Sequence, residues 1–152
     1  MAPRIMIVEC EGIVALDIES ILLTAGYQVV AMTFTGRKAI QSAQELIPDL
    51  VLIDTGLKGP MDGIELAYVL RERFDFAIIF LTGHTDPRTL ARARLTRPLG
   101  YVTKPFRQSQ LLSSIEVALE KSRIRKEDGV VGQLDRQIAM QQPTLKEGNE
   151  RS

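Results

Sequence analysis

Short runs of β-branched and other apolar residues alternate along this chain with longer stretches whose apolar positions fall at helical spacing. The first run is Ile5-Met6-Ile7-Val8. It is followed by Ile13 to Ala25, with Leu16, Ile18, Ile21 and Leu22 at the spacing of one helix face and Gly26 suited to ending it. Gln28 to Met32 reads as a second strand, and Gly36 to Ile47 as a helix stopped by Pro48. Leu50-Val51-Leu52-Ile53 is a third strand, and Gly56 to Gly63, with three glycines and a proline, is a loop. A helix over Ile64 to Phe74, a strand over Ala77 to Leu81 and a helix opened by Asp86-Pro87 come next. Gly100-Tyr101-Val102 is a short fifth strand, and Gln108 to about Glu127 a long last helix.

The pattern is strand–helix repeated five times. Strands that are apolar on nearly every residue belong in a parallel sheet covered on both faces, so a doubly wound three-layer α/β fold is expected. In such folds chemistry gathers beyond the carboxyl ends of the strands. Glu9-Cys10-Glu11 follows the first strand, Asp54 ends the third, Thr82 ends the fourth and Lys104-Pro105-Phe106 follows the fifth. Residues far apart in sequence thus converge on one edge. A region over 1–127 would form the domain. Past Asp128, Gly129, Gly132, Pro143 and Gly148 interrupt the periodicity, and 128–152 reads as a flexible tail or linker.

Composition narrows the classes. Over 152 residues, 19 basic and 19 acidic side chains cancel, which argues against a generic nucleic-acid binder. The balance is uneven along the chain: residues 1–54 carry 3 basic and 7 acidic groups, while Arg88, Arg92, Arg94 and Arg97 make the fourth helix basic. One cysteine, Cys10, and one histidine, His84, allow neither an internal disulfide nor a zinc site built from Cys and His alone. His84 reads as a solvated loop residue. The first apolar run is too short for a secretory signal, and no stretch reaches the ~20 apolar residues of a membrane span, so a cytoplasmic protein is expected.

A carboxylate at a strand end can attack phosphorus and form an acyl phosphate. Such transfer depends mostly on positioning and charge neutralisation. An ammonium such as Lys104 and a hydroxyl such as Thr82 could supply part of that, and Gly83 leaves room beside them.

In these residues the chain resembles the receiver domain of two-component response regulators. The resemblance covers about residues 4–124. It rests on Val8-Glu9, Leu52-Ile53-Asp54, Gly59-Pro60-Met61-Asp62-Gly63, Leu81-Thr82-Gly83 and Tyr101-Val102-Thr103-Lys104-Pro105-Phe106. It implies a flavodoxin-like (βα)5 fold with strand order 2-1-3-4-5. It also implies that Asp54 takes a phosphoryl group from a sensor histidine kinase or phosphotransfer protein, and that the chain is not otherwise an enzyme. Glu9, Asp54 and the backbone carbonyl of Gly56 would hold Mg²⁺. Lys104 and Thr82 would bind the phosphoryl oxygens, Thr82 and Tyr101 would act as switch residues, and the Lys104-Pro105 peptide would be cis. The surface of the fourth helix, fifth strand and fifth helix would meet a downstream protein or a second copy of the chain, with no direct contact to nucleic acid or membrane.

Cys10 departs from this pattern. It stands where the family usually has a second acid that ligates the metal, and a neutral thiol is a poor ligand for a hard cation. A second reading follows, in which the domain recognises partners without being phosphorylated. A remote third reading takes Asp54-Thr55-Gly56 as the signature of a dimeric aspartic protease, which would require an all-β fold.

Overall fold

The computed structural model describes residues 1–83 and 86–140, with side chains described as far as residue 129. The elements are β1 (Arg4–Val8), α1 (Gly12–Thr24), β2 (Gln28–Thr33), α2 (Gly36–Leu46), β3 (Leu50–Asp54), α3 (Gly63–Arg73), β4 (Ala77–Thr82), α4 (Pro87–Leu95), β5 (Gly100–Thr103) and α5 (Gln108–Met140). Five parallel strands form one sheet in the order β2-β1-β3-β4-β5. This is the doubly wound fold and the strand order expected above. The chain divides into one unit over Met1–Leu119, which holds the whole sheet, and another over Glu120–Ser152.

Apolar residues on both sides of each strand explain the three layers. Met6, Val8, Val51, Ile53, Ile78 and Phe80 face one side, where they pack with Ala39 and Ala43 of α2, Ile64, Leu66, Ala67 and Leu70 of α3, and Ala93 of α4. The alternate residues, among them Ile7, Leu52, Ile79 and Leu81, face Ala15, Ile18 and Leu22 of α1 and Leu111, Ile115 and Ala118 of α5. An uninterrupted apolar run therefore feeds two cores, because neighbouring strand residues point to opposite faces.

Local chemistry sets the helix ends. Gly26 takes a φ of 93° directly after α1, a conformation that glycine adopts at little cost. Asp62 caps α3 by accepting from the backbone N–H of Glu65 at 2.9 Å, and Glu65 accepts from the backbone N–H of Asp62 at 3.1 Å. Asp86 caps α4 in front of Pro87, accepting from the N–H of Thr89 at 2.9 Å. Ile47 (φ 44°) and Arg97 (φ 53°) are the non-glycine residues of left-handed conformation among those described. Each directly precedes a proline, which disfavours the right-handed helical region for the residue before it.

The last helix does not end near Glu127. Its backbone continues through Gly129 and Gly132 to Met140. An isolated glycine costs a helix only about 1 kcal/mol relative to alanine, so Gly129 and Gly132 need not end it. The remainder of the expected tail, 141–152, lies outside the described residues, as does His84. Among the described residues no helix is long and apolar enough to cross a membrane.

Candidate functional site

Strand register builds the site. Val8 is paired with Ile53, Asp54 with Leu81, Leu81 with Val102 and Thr82 with Thr103. Glu9, Asp54, Thr82 and Lys104 consequently sit side by side at the carboxyl edge of the sheet, where β1 and β3 meet and the strand order reverses. The peptide N–H of Lys104 donates to the Thr82 carbonyl at 2.8 Å, and the Lys104-Pro105 peptide is cis, as the resemblance implied.

Charge is concentrated there. Glu9 and Asp54 are both buried. The Lys104 ammonium donates to Glu9 Oε2 at 3.2 Å and lies 3.4 Å from Asp54 Oδ1. Exposed Glu11 lies further from the same ammonium, at 3.9 Å. One cation thus bridges two carboxylates. Burial pushes the Glu9 carboxyl up to about 7, helped by hydrogen bonding to Asp54 and by its charge, while the Glu11 N–H and Lys104 pull the other way. For Lys104, burial works against the ammonium, but the charges of Asp54 and Glu9 outweigh it and hold the group above its ordinary range.

Asp54 is oriented by backbone and sulfur. The Gly56 N–H donates to Oδ1 at 3.0 Å. The Cys10 thiol donates to Oδ2 at 3.4 Å and lies 3.9 Å from the Gly56 carbonyl oxygen. Burial, followed by the hydrogen bond to Asp54, pushes the Cys10 thiol up, so the sulfur remains a neutral donor. Over these groups opens a pocket of about 440 Å³, lined in part by Cys10, Asp54, Gly56, Gly83 and Lys104. A Cβ on Gly83 would meet nothing within 4 Å, so the space beside Thr82 is open.

Each predicted site residue can now be placed. Glu9, Cys10, Asp54, Gly56 and Lys104 come together. Thr82 is buried at the end of β4, next to them in the sheet. Tyr101 is 40% exposed, with its ring 6.1 Å from that of Phe80, so it lies at the surface of β5 and not against Asp54. Two features escaped the sequence reading. Lys58 also lines the pocket. Gly63 packs so closely that a Cβ there would lie 2.0 Å from the Asp54 carbonyl oxygen. The signal for the second was available: Asp62 followed by Glu65 is a helix-capping pattern, which places Gly63 in a first helical turn.

The donor set decides what cation could be held. Ligand atoms of Glu9, Cys10 and Asp54 all lie within 4.8 Å of one another. Two carboxylates and the Gly56 carbonyl are the hard oxygen donors that Mg²⁺ takes. The Cys10 sulfur is not, so the full set does not match the cation implied by the resemblance. The protease reading fails on the fold, since Asp54-Thr55-Gly56 ends a parallel strand in an α/β sheet.

Residues 5–116 match the model of the response regulator receiver domain. The transcriptional regulatory protein PdtaR of Mycobacterium tuberculosis is 32% identical over 121 residues, which make up 79% of this chain and 58% of that protein. The DNA-binding response regulator MtrA of Mycolicibacterium paratuberculosis is 30% identical over 122 residues, 80% of this chain and 53% of that protein. The chain therefore spans little more than half the length of these relatives. Among solved structures, the signal receiver domain of a modulated diguanylate cyclase from Desulfovibrio desulfuricans is 34% identical with a TM-score of 0.78, covering 82% of this chain and 99% of its own.

Proposed function

The chain belongs to the response regulator receiver family, and from that premise we propose that it is a phosphoacceptor module switched by a phosphoryl group on Asp54. The observation that carries this reading is the Lys104 ammonium lying 3.4 Å from Asp54 Oδ1. A buried carboxylate that opens onto a pocket, with a fixed cation beside it, suits attack on phosphorus.

In this mechanism a carboxylate oxygen of Asp54 forms an O–P bond while the bond from phosphorus to the donor breaks. With a phosphohistidine donor on a sensor kinase or phosphotransfer protein, that bond is P–N and its electron pair leaves with the imidazole. Lys104 pairs with a phosphoryl oxygen, the Gly56 N–H orients the carboxylate, and the open space at Gly83 admits the group. Thr82 supplies a hydroxyl to a second oxygen. Glu9, Asp54 and the Gly56 carbonyl are the donors Mg²⁺ would use, and such an ion would supply charge neutralisation. With Cys10 in place of a third oxygen ligand, Mg²⁺ is expected to bind weakly.

The chain is a substrate of phosphoryl transfer and catalyses no reaction on other molecules. Tyr101, at the surface of β5, is positioned to report the switch to a downstream protein or a second copy of the chain meeting α4, β5 and α5. The setting is the cytoplasm, with no direct contact to nucleic acid. One observation favours a second reading: the Cys10 thiol occupies Asp54 Oδ2, as suits a domain that binds partners without phosphorylation.

Incubation with Mg²⁺ and acetyl phosphate, followed by intact-mass measurement, separates the two. The first reading expects one phosphoryl adduct on the wild type and none on Asp54→Asn. No adduct on the wild type favours the second.

A further inference from the structure

We propose that Glu9, Cys10 and Asp54 form a binding site for a thiophilic divalent cation of the Zn²⁺ type, and that Cys10 moves the selectivity of this pocket away from Mg²⁺. The proposal starts from the mismatch in the donor set. Ligand atoms of the three residues lie within 4.8 Å of one another, and the sulfur is 3.4 Å from Asp54 Oδ2. Zinc holds sulfur and oxygen at about 2.0–2.3 Å, so two ligands of a tetrahedral ion stand about 3.5 Å apart. The Cys10–Asp54 pair already has that separation. Glu9 completes three protein ligands, and the open pocket leaves the fourth position to water. Three protein ligands and one exchangeable position suit zinc in a site open to solvent.

The ionised sulfur supports the same assignment. When the cation binds, the thiol proton leaves to solvent and the sulfur becomes a thiolate. Two carboxylates and one thiolate then face the divalent ion and the Lys104 ammonium, which sits 3.2 Å from Glu9 and 3.4 Å from Asp54. With Mg²⁺ the thiol stays neutral, and the sulfur adds neither charge nor a matched ligand. Soft ligands select soft or borderline metals, and a hard cation gains nothing from the sulfur.

The site is the pocket read above as the phosphoacceptor, but cation binding requires no phosphoryl chemistry, so the two proposals can fail separately. The test uses the full chain and the metals alone. Zn²⁺ and Mg²⁺ affinities are measured by competition with a colorimetric chelator for the wild type, Cys10→Ser and Cys10→Asp. Cd²⁺ is added in parallel to look for the near-ultraviolet absorption of a metal–thiolate bond. Circular dichroism checks that each variant is folded.

The wild type is expected to show the Cd²⁺–thiolate band, and Cys10→Ser to lose it. Zn²⁺ affinity should fall at least about tenfold in Cys10→Ser, a scale already reached when groups that merely support a metal ligand are removed. Cys10→Asp should raise Mg²⁺ affinity and lower the Zn²⁺:Mg²⁺ ratio. Equal Zn²⁺ affinity in the wild type and Cys10→Ser overturns the proposal, as does the absence of a thiolate band. Should Cys10→Ser fail to fold, Asp54→Asn and Glu9→Gln provide the same comparison, and unchanged Zn²⁺ affinity in both also overturns it.

Discussion

A Cβ on residue 63 would lie 2.0 Å from the carbonyl oxygen of Asp54 and 2.9 Å from the Cα of Thr55. Only glycine lets the first turn of α3 pack directly on the end of β3, and that contact fixes the peptide carrying the carboxylate. In Gly63→Ala the clash is with backbone, which cannot swing aside as a side chain can. Alanine's better helix propensity offers about 1 kcal/mol, against an overpacking cost of about 1–3 kcal/mol or more. A net loss of stability is expected in urea unfolding, together with slower phosphoryl uptake. An unchanged midpoint would show that α3 can shift without disturbing Asp54.

Lys104 is the cation between two buried carboxylates. Removing one partner of a buried ion pair typically costs about 3–5 kcal/mol. Here the loss should be smaller near pH 6, where Glu9 is largely protonated with or without Lys104, and larger near about pH 8, where the wild-type carboxylate is ionised and depends on the ammonium. Urea unfolding of Lys104→Met against the wild type at the two pH values checks this. Equal losses at both would mean that Glu9 is not the group left uncompensated.

Glu9 should itself give the metal-free protein a pH dependence. Its carboxyl has an ordinary value of 4.5 and is pushed up to about 7 in the fold. The folded state therefore holds a proton that the unfolded chain releases. The associated stability is fully present below about 4.5 and is lost as pH rises through about 7. Subtracting the profile of Glu9→Gln from that of the wild type, both in chelator, should isolate a decline on the order of 3 kcal/mol across that window. A flat difference would place the raised proton affinity elsewhere.

Arg71 ties together the ends of two helices. Its guanidinium donates to the carbonyls of Phe76 at 2.9 Å, Thr96 at 3.0 Å and Arg97 at 3.1 Å. Arg71→Met keeps the aliphatic stem and takes the donor away from those carbonyls, two of which belong to the buried residues Phe76 and Thr96. A loss of about 1–3 kcal/mol is expected, with phosphoryl uptake on Asp54 retained, because the cluster lies away from the carboxyl edge of the sheet. Loss of uptake with unchanged stability would contradict that separation.

The extent to which this could be read beforehand follows the range of the interactions. Strands such as Leu50–Asp54 and helix starts such as Asp86-Pro87 are set by neighbouring residues, so periodicity and capping chemistry locate them. Glu9, Asp54 and Lys104 were legible as one site because parallel strands of similar length bring their ends together. The bridging of both carboxylates by Lys104 was not, since it depends on side-chain reach across three strands. Gly63 against Asp54 and Arg71 against Thr96 are close approaches between distant segments, and no spacing announces them. The end of α5 was misplaced because a glycine is a strong stop only where nothing else favours continuation, and Gly129 and Gly132 lie inside one helix.

The central claim is that the carboxyl of Asp54, and no other group, becomes an acyl phosphate. Its most direct test treats the phosphodonor-incubated protein with borohydride, which reduces an acyl phosphate to an alcohol, and then sequences the peptides. The account predicts a single reduced side chain, at position 54, that is absent when the donor is omitted. Reduction at Glu9, Glu11 or Asp62, or none at all after a confirmed phosphoryl adduct, would contradict it.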